Sequence, residues 1–135
     1  MKKLNCVLLI DDDEPTNFYN EIIIKEAELT NNVVAVQSGR EALDYLVSIE
    51  NGEHPQPDLI FLDINMPAMN GWEFMEAYKK LEENQKGGIV IIMLTTSLNP
   101  DDAERARELD HVHDFKNKPL SVETIKDVVR DYFAD

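Results

Sequence analysis

The sequence predicts a doubly wound α/β fold, because five short apolar runs alternate with segments long enough to form helices. The runs are rich in Val, Ile and Leu, as buried parallel strands are. The segments between them hold 22, 22, 26 and 17 residues, whereas a parallel crossover needs about a dozen and a hairpin about two. We therefore predict a five-stranded parallel sheet with five helices distributed over both faces. The predicted strands are residues 6–10, 33–36, 59–62, 89–94 and 112–115.

Length and composition fit one domain. The chain has 135 residues, of which 43% are hydrophobic, and this is enough to bury a core. We expect a single domain over residues 1–135, with no output domain. A signal would then leave through the surface of this domain or through a separate effector chain.

The charge balance argues against nucleic-acid binding. The chain carries 27 acidic and 13 basic residues, for a net charge of −14, which repels phosphate backbones and attracts cations. Its single cysteine, Cys6, cannot form a disulfide within the chain, which fits a reducing compartment. No apolar stretch reaches the roughly 18 residues of a membrane span, and the aspartates at 11–13 end the first apolar run. We expect a cytoplasmic protein that binds neither nucleic acid nor membrane.

The first, second and fifth helices are predicted from their start signals. Pro15 suits the first turn of a helix. Ser38 and Glu41 form a capping box at the start of the second helix, and Ser121 is a suitable N-cap for the fifth. Apolar residues recur at helical spacing after each start, which predicts the buried face of each helix. These residues are Phe18, Ile22, Ile23 and Ala27 in the first helix, Ala42, Leu43 and Leu46 in the second, and Val122, Ile125, Val128, Val129 and Phe133 in the fifth.

The third and fourth helices have weaker boundaries. The third follows Asn70 and is expected to end near Gly87, where a second glycine lets the backbone turn freely. A polar fourth helix is predicted over residues 101–109. Residues 50–57 form a polar loop before the third strand, which we interpret as a long surface connection. The apolar residues of the third helix are Phe74, Met75, Tyr78 and Leu81.

Three carboxylates are expected to meet at one edge of the sheet. Five strands with helices on both faces favour the flavodoxin-like strand order 2-1-3-4-5, in which strands one and three are neighbours at the topological switch point. Asp11 and Asp12 follow the first strand, and Asp63 follows the third. Carboxylates this close repel one another, and a hard divalent cation is the simplest remedy. Mg²⁺ suits the site best, because few protein oxygens are offered.

A hydroxyl and an amine follow the last two strands and complete a site for phosphoryl transfer. Thr95 follows the fourth strand, and Lys118 lies just beyond the fifth. Asp63 would be the nucleophile and form an aspartyl phosphate, while Mg²⁺ and Lys118 neutralise the phosphoryl oxygens and Thr95 donates a hydrogen bond to one of them. Taken singly, each residue has an ordinary structural explanation, as a solvated acid, a strand hydroxyl or a surface amine. Their coincidence after four strands favours the site.

With these motifs the chain resembles a two-component response-regulator receiver domain of the stand-alone type over essentially its whole length. The resemblance implies that Asp63 is the phosphoacceptor. It also implies that Asp12 and Asp63 bind the metal through side-chain oxygens, that Asp11 acts through water, and that Asn65 adds its backbone carbonyl. The implied phosphoryl donor is a histidine kinase or a histidine phosphotransfer protein.

The resemblance further implies a switch. Thr95 takes the position of the family's switch hydroxyl, and Phe115 that of an aromatic residue that moves inward when the threonine approaches the phosphoryl group. Lys118 takes the position of the family's invariant amine, and the resemblance implies that the peptide bond between Lys118 and Pro119 is cis. The signal would pass by protein contact to a target that the sequence does not name.

One residue beside the switch threonine departs from the family's commonest pattern. Thr96 stands where Ala or Gly is frequent, and its larger side chain is expected to narrow access to the phosphoryl group. Ser97 also flanks the expected path of attack. We therefore expect slowed hydrolysis of the aspartyl phosphate, or slowed loading by small donors.

Other functions stay open. The chain could be a phosphorelay intermediate that hands its phosphoryl group to a downstream histidine, or could form a homodimer on phosphorylation. A haloacid-dehalogenase-like phosphatase is disfavoured, because Pro15 stands where its first-strand motif needs Thr or Val. A binding module that needs no phosphorylation is disfavoured by the complete set of acidic residues, Thr95 and Lys118.

The three histidines do not predict a metal site. They are His54, His111 and His113, and no third metal ligand at matching spacing accompanies the pair His111 and His113. Packed or solvated histidines are therefore favoured.

Overall fold

The computed structural model describes residues 3–86, 88–96 and 99–133, and its sheet has five parallel strands. The strands are β1 (Leu4–Ile10), β2 (Thr30–Val36), β3 (Leu59–Asp63), β4 (Val90–Thr95) and β5 (Asp114–Asn117). Each strand lies close to a predicted apolar run, with ends shifted by up to three residues. Their order in the sheet is β2-β1-β3-β4-β5, so the predicted fold class and strand order are confirmed.

Helices cover both faces of the sheet and divide the core into two layers. The helices are α1 (Glu14–Ala27), α2 (Gly39–Val47), α3 (Gly71–Tyr78), α4 (Glu83–Lys86), α5 (Pro100–Arg107) and α6 (Val122–Phe133). Leu8 and Ile10 of β1 pack in one buried cluster with residues of α2, α3 and α5, whereas Val7 and Leu9 pack in the other with residues of α1 and α6. The central strands are therefore buried on both sides, as parallel strands usually are. Among the described residues, none of these helices is long and apolar enough to span a membrane.

The described residues form six helices instead of the predicted five. The expected third helix stops at Tyr78, because the Lys80 and Leu81 amides bond three residues back and tighten its last turn. The short α4 follows as a separate turn. The expected end at Gly87 lies outside the described residues.

The predicted buried face of α1 is partly wrong. Phe18 is 67% exposed and Ile22 is 48% exposed, whereas Asn17, Asn20 and Ile24 face the protein interior. The prediction from spacing rests on the assumption that the apolar residues of a helix face the core. The exposed pair leaves an apolar surface on a helix whose other side already packs on the sheet.

The remaining differences lie at the sheet edges and in one loop. β5 begins at Asp114, two residues later than predicted. An edge strand needs only one buried face, so the polar residues of β5 do not produce the continuous apolar run that predicts a buried strand. In the predicted loop at 50–57, Glu50 and Glu53 form an antiparallel bridge around Asn51 (φ 55°) and Gly52 (φ 80°). Two left-handed residues form the tight turn that Asn-Gly favours.

Candidate active site

The site lies at the carboxyl edge of the sheet, where the strand order brings four strand ends together. Asp63 is the last residue of β3 and Thr95 the last of β4. Asp11 follows β1 directly, and Lys118 follows β5. Open parallel sheets bind their ligands outside the carboxyl ends of the strands.

Three carboxylates form a group that fits a metal ion. One oxygen from each of Asp11, Asp12 and Asp63 lies within 4.8 Å of the others. Asp11 and Asp63 are buried, at 3% and 5% exposure, while Asp12 is exposed and opens the group to solvent. An all-oxygen set of this kind, with few ligands and an open side, suits Mg²⁺, which keeps several of its waters.

Lys118 bridges the two buried carboxylates. Its ammonium donates to Oδ2 of Asp11 at 2.7 Å and lies 3.1 Å from Oδ1 of Asp63. Burial lowers the pKa of Lys118, but the hydrogen bond and charge of Asp11, together with those of Asp63, outweigh it, so the pKa of the amine is raised. The lysine is therefore a cation at neutral pH.

Asp63 is held in an environment that disfavours its charge. Burial and then the neighbouring charge of Asp11 raise the pKa of Asp63, and Lys118 and the Asn65 amide lower it only in part. The Asn65 amide lies 3.4 Å from Oδ1 of Asp63. A bound dication would supply the missing positive charge.

The acidic loop between β1 and α1 is fixed by its own hydrogen bonds. The Asp13 amide donates to Oδ1 of Asp11 at 2.9 Å. Asp13 is the N-cap of α1, and its carboxylate accepts from the backbone amide and the hydroxyl of Thr16. Asn17 donates to the Asp11 carbonyl at 2.9 Å. Sequence reasoning missed Asn17, because the apolar spacing of α1 predicted a different face as buried.

The turn after Asp63 is stabilised by close backbone contact. The Gly71 amide donates to the Ile64 carbonyl at 2.8 Å. A Cβ on Gly71 would lie 2.9 Å from Cα of Ile64 and 3.0 Å from the Asp63 carbonyl oxygen. The left-handed residue of this turn is Ala68, with φ 66°. Glycine at 71 is therefore needed for close approach.

Thr95 lies at the floor of the site, and Thr96 lies at its rim. Thr95 is fully buried, and its carbonyl accepts the Lys118 amide at 2.8 Å. Thr96 is exposed and lines a groove of about 400 Å³ with Lys118, Tyr19 and neighbouring residues. Ser97 lies outside the described residues.

Phe115 lies away from the acids, on the edge strand. It pairs in register with Met93 of β4, is half-buried, and lines a second cavity of about 230 Å³ with residues of α5 such as Ala106. The bond between Lys118 and Pro119 is cis, as the resemblance implied.

The three histidines take part in packing and backbone contacts. The His113 ring accepts the Ile91 amide at 3.2 Å, and the His111 ring stands edge-on to Tyr78. The His54 ring hydrogen-bonds the Ser48 carbonyl at 2.9 Å. These contacts agree with the interpretation of packed or partly solvated histidines.

Comparison with known proteins matches this architecture. The family model for the response regulator receiver domain covers residues 7–130. A probable methanogenesis regulatory protein of Methanothrix harundinacea is 32% identical over 93% of this chain and 79% of its own length. Sporulation initiation phosphotransferase F of Bacillus subtilis is 29% identical over 93% of this chain and 91% of its own length. The crystal structure of a two-component response regulator from Cytophaga hutchinsonii is 31% identical, with a TM-score of 0.89 over 99% of this chain and 100% of that one. The chain therefore belongs to the response regulator receiver domain family and is a receiver for phosphorylation-dependent signalling.

Proposed function

We propose that Asp63 accepts the phosphoryl group. One observation supports this proposal above all: Asp63 lies beside two other carboxylates and the Lys118 ammonium at the carboxyl edge of the sheet. An oxygen of Asp63 attacks phosphorus in line, a new O–P bond forms, and the bond from phosphorus to the donor breaks with its electron pair. A phosphohistidine donor leaves as imidazole, and acetyl phosphate leaves as acetate. We infer that the chain promotes only its own phosphorylation and dephosphorylation.

We propose that Asp11, Asp12 and Asp63, with the backbone carbonyl of Asn65, bind Mg²⁺. When bound, Mg²⁺ neutralises charge on the phosphoryl oxygens. Lys118 is close enough to Asp63 to bind one of these oxygens as a cation. Asp11 holds that amine in place through its 2.7 Å contact.

The proposed switch runs from Thr95 to Phe115. Both residues lie on neighbouring strands, β4 and β5, at or near the carboxyl edge. A hydrogen bond from the Thr95 hydroxyl to the phosphoryl group would draw the β4 end inward, and the cavity beside Phe115 gives the ring a second position to fill. An unchanged signal from a fluorine-labelled phenylalanine at 115 on phosphorylation would contradict this switch.

The proposed donor is a histidine kinase or a histidine phosphotransfer protein. Phe18, Tyr19 and Ile22 are exposed on α1, and Tyr19 lines the groove that contains Lys118. Such an apolar surface next to the nucleophile fits a protein donor. Transfer onward to a downstream histidine, as in a phosphorelay, uses the same surface and stays a second candidate. The downstream target and a homodimer on phosphorylation stay predictions, as does a cytoplasmic location.

The deciding experiment is intact-protein mass spectrometry after incubation with Mg²⁺ and acetyl phosphate. We expect the gain of one phosphoryl group, lost in a chelator and absent in Asp63→Asn. A gain that persists in Asp63→Asn, or that localises to Asp11, would contradict the proposal. If the wild type gains no mass, binding of beryllofluoride with Mg²⁺ tests the site directly, and its absence would favour a binding module that needs no phosphorylation.

A further inference from the structure

A buried asparagine joins α1 to the ends of two strands. Asn17 lies in the second turn of α1 and is only 4% exposed. Its Nδ2 amide donates to the Asp11 carbonyl at 2.9 Å and to the Val36 carbonyl at 3.1 Å. Val36 is the last residue of β2, and Asp11 follows the last residue of β1. One side chain therefore satisfies backbone acceptors at both strand ends.

The position uses the two donors of Asn17 and not its acceptor. Within the described part of the chain, Oδ1 of Asn17 is buried and has no hydrogen-bond partner. Burying an unpaired polar atom is unfavourable. Any stabilising role of Asn17 at this position is therefore exerted through its N–H groups. Each of those N–H groups satisfies a carbonyl at the edge that carries the acids.

The two bonds complete the restraint on Asp11. Its amide donates to the Val36 carbonyl at 3.2 Å, one carboxylate oxygen accepts the Asp13 amide at 2.9 Å, and the other binds Lys118 at 2.7 Å. Among the described residues, Asn17 is the one group that donates to the Asp11 carbonyl. That peptide unit leads directly into Asp12, the exposed member of the acid group.

We propose that Asn17 is a positioning residue for the metal site: its two hydrogen bonds fix the Asp11–Asp12 peptide so that both carboxylates face Asp63. The inference rests on the proposed function, because it assigns a role towards Mg²⁺. It concerns a residue that touches neither the phosphoryl group nor the metal. Its effect is exerted through the backbone of Asp11.

The test is calorimetric titration of the metal-free protein with Mg²⁺, in wild type, Asn17→Leu and Asn20→Leu. Asn20 is a matched control, because it lies one turn later on α1, is 3% exposed and makes no side-chain hydrogen bond within the described residues. Loss of a residue that orients metal ligands typically weakens metal binding about 10- to 100-fold. We expect the Mg²⁺ Kd to rise by about tenfold in Asn17→Leu and to change less than about twofold in Asn20→Leu. A similar Kd in all three proteins, or equal weakening in both variants, overturns the proposal.

A second, metal-free measurement separates this inference from the proposed function. The Asp13 amide is bound to Asp11, so its hydrogen exchange reports the order of the acidic loop. We expect faster exchange in Asn17→Leu than in Asn20→Leu, and equal exchange would overturn the positioning role. A wild type that binds no Mg²⁺ contradicts the proposed function and leaves this comparison decisive. If Asn17→Leu does not fold, the smaller Asn17→Ala takes its place in both measurements.

Discussion

At the scale of single residues, Asp63 combines burial with a proposed function that requires its charge. Burial and Asp11 raise its pKa, so the folded protein holds the proton of Asp63 more tightly than the unfolded chain does. Asp63 therefore lowers the free energy of unfolding as the pH rises through its folded-state pKa, and this loss is complete above that pKa. The charged form of Asp63 is held at a cost in stability.

The first prediction follows from that cost. In metal-free buffer at neutral pH, Asp63→Asn should raise the free energy of unfolding by about 1 kcal/mol, because one of two neighbouring buried charges is removed. The gain should fade as the pH is lowered through the folded-state pKa of Asp63. Urea denaturation at several pH values measures both effects. Adding Mg²⁺ should stabilise the wild type and not the variant. A variant that is less stable than the wild type at neutral pH would contradict the prediction.

The second prediction concerns Thr96. Its exposed side chain lines the groove beside Lys118, where water or a small donor would approach. We expect Thr96→Ala to shorten the lifetime of the aspartyl phosphate, or to speed loading by acetyl phosphate, by about threefold, equivalent to less than about 1 kcal/mol in the barrier. Timed intact-mass spectra of the phosphorylated proteins measure it. Equal lifetimes and equal loading rates would refute the role of this side chain.

At the scale of elements, the start of α3 packs closely against the backbone of Asp63, the proposed nucleophile. Gly71→Ala places a Cβ within 3.0 Å of Ile64 and the Asp63 carbonyl, and backbone cannot move aside as a flexible side chain can. We expect the free energy of unfolding to fall by about 1–3 kcal/mol and phosphorylation of Asp63 to slow. Gly88→Ala is the control, because its Cβ would meet nothing within 4 Å. Equal stability of the two variants would contradict the close approach.

The exposed apolar surface of α1 yields a prediction about donors. Phe18→Ala should slow phosphorylation by a histidine kinase about tenfold, because it removes an exposed apolar contact from the donor-facing helix. The same variant should be phosphorylated normally by acetyl phosphate, and its stability should change by less than about 0.5 kcal/mol. Ile49→Ala is the matched control, since Ile49 is also 67% exposed but lies in the loop before β3, at the opposite edge of the sheet. Phosphotransfer profiling with purified histidine kinases measures the rates. Equal kinase rates for the two variants would exclude this surface.

Elements were predictable where one physical signal dominates. The uninterrupted apolar residues of β3 and the cap residue Ser38 identify their elements, because burial on both faces and a capped helix start leave clear sequence patterns. The predicted buried face of α1 is partly wrong for a different reason. Spacing shows which residues share a helix face, but it does not show which face meets the core. In the structure, Asn17 is buried and Phe18 is exposed.

At the scale of the whole molecule, charge works against compactness. A net charge of −14 produces self-repulsion that salt screens. We expect the free energy of unfolding of the metal-free protein to rise when NaCl is raised from about 50 mM to about 300 mM, where the screening length falls well below about 10 Å. Urea denaturation at fixed pH measures it, and Asp63→Asn should show a smaller gain than the wild type. Unchanged or lower stability in salt would contradict the prediction.

The site was predictable from topology more than from any single residue. Strand order places Asp11 next to Asp63, and the parallel direction places all strand ends at one edge, so residues more than 100 positions apart in the chain meet. What the sequence could not provide was fine positioning. The contact between Asn17 and two carbonyls depends on how α1 sits on the sheet, which no local pattern encodes.

The salt bridges from Lys118 to Asp11 and Asp63 have a kinetic consequence. The ammonium acts as a placeholder for positive charge, so the carboxylates stay assembled while no ion is bound. Under the proposed function, an arriving Mg²⁺ would meet carboxylates that already lie close together. Its binding rate would then be limited by how fast Mg²⁺ loses its hydration waters, so the chemistry of the ion in water would set the time needed before the receiver can be phosphorylated.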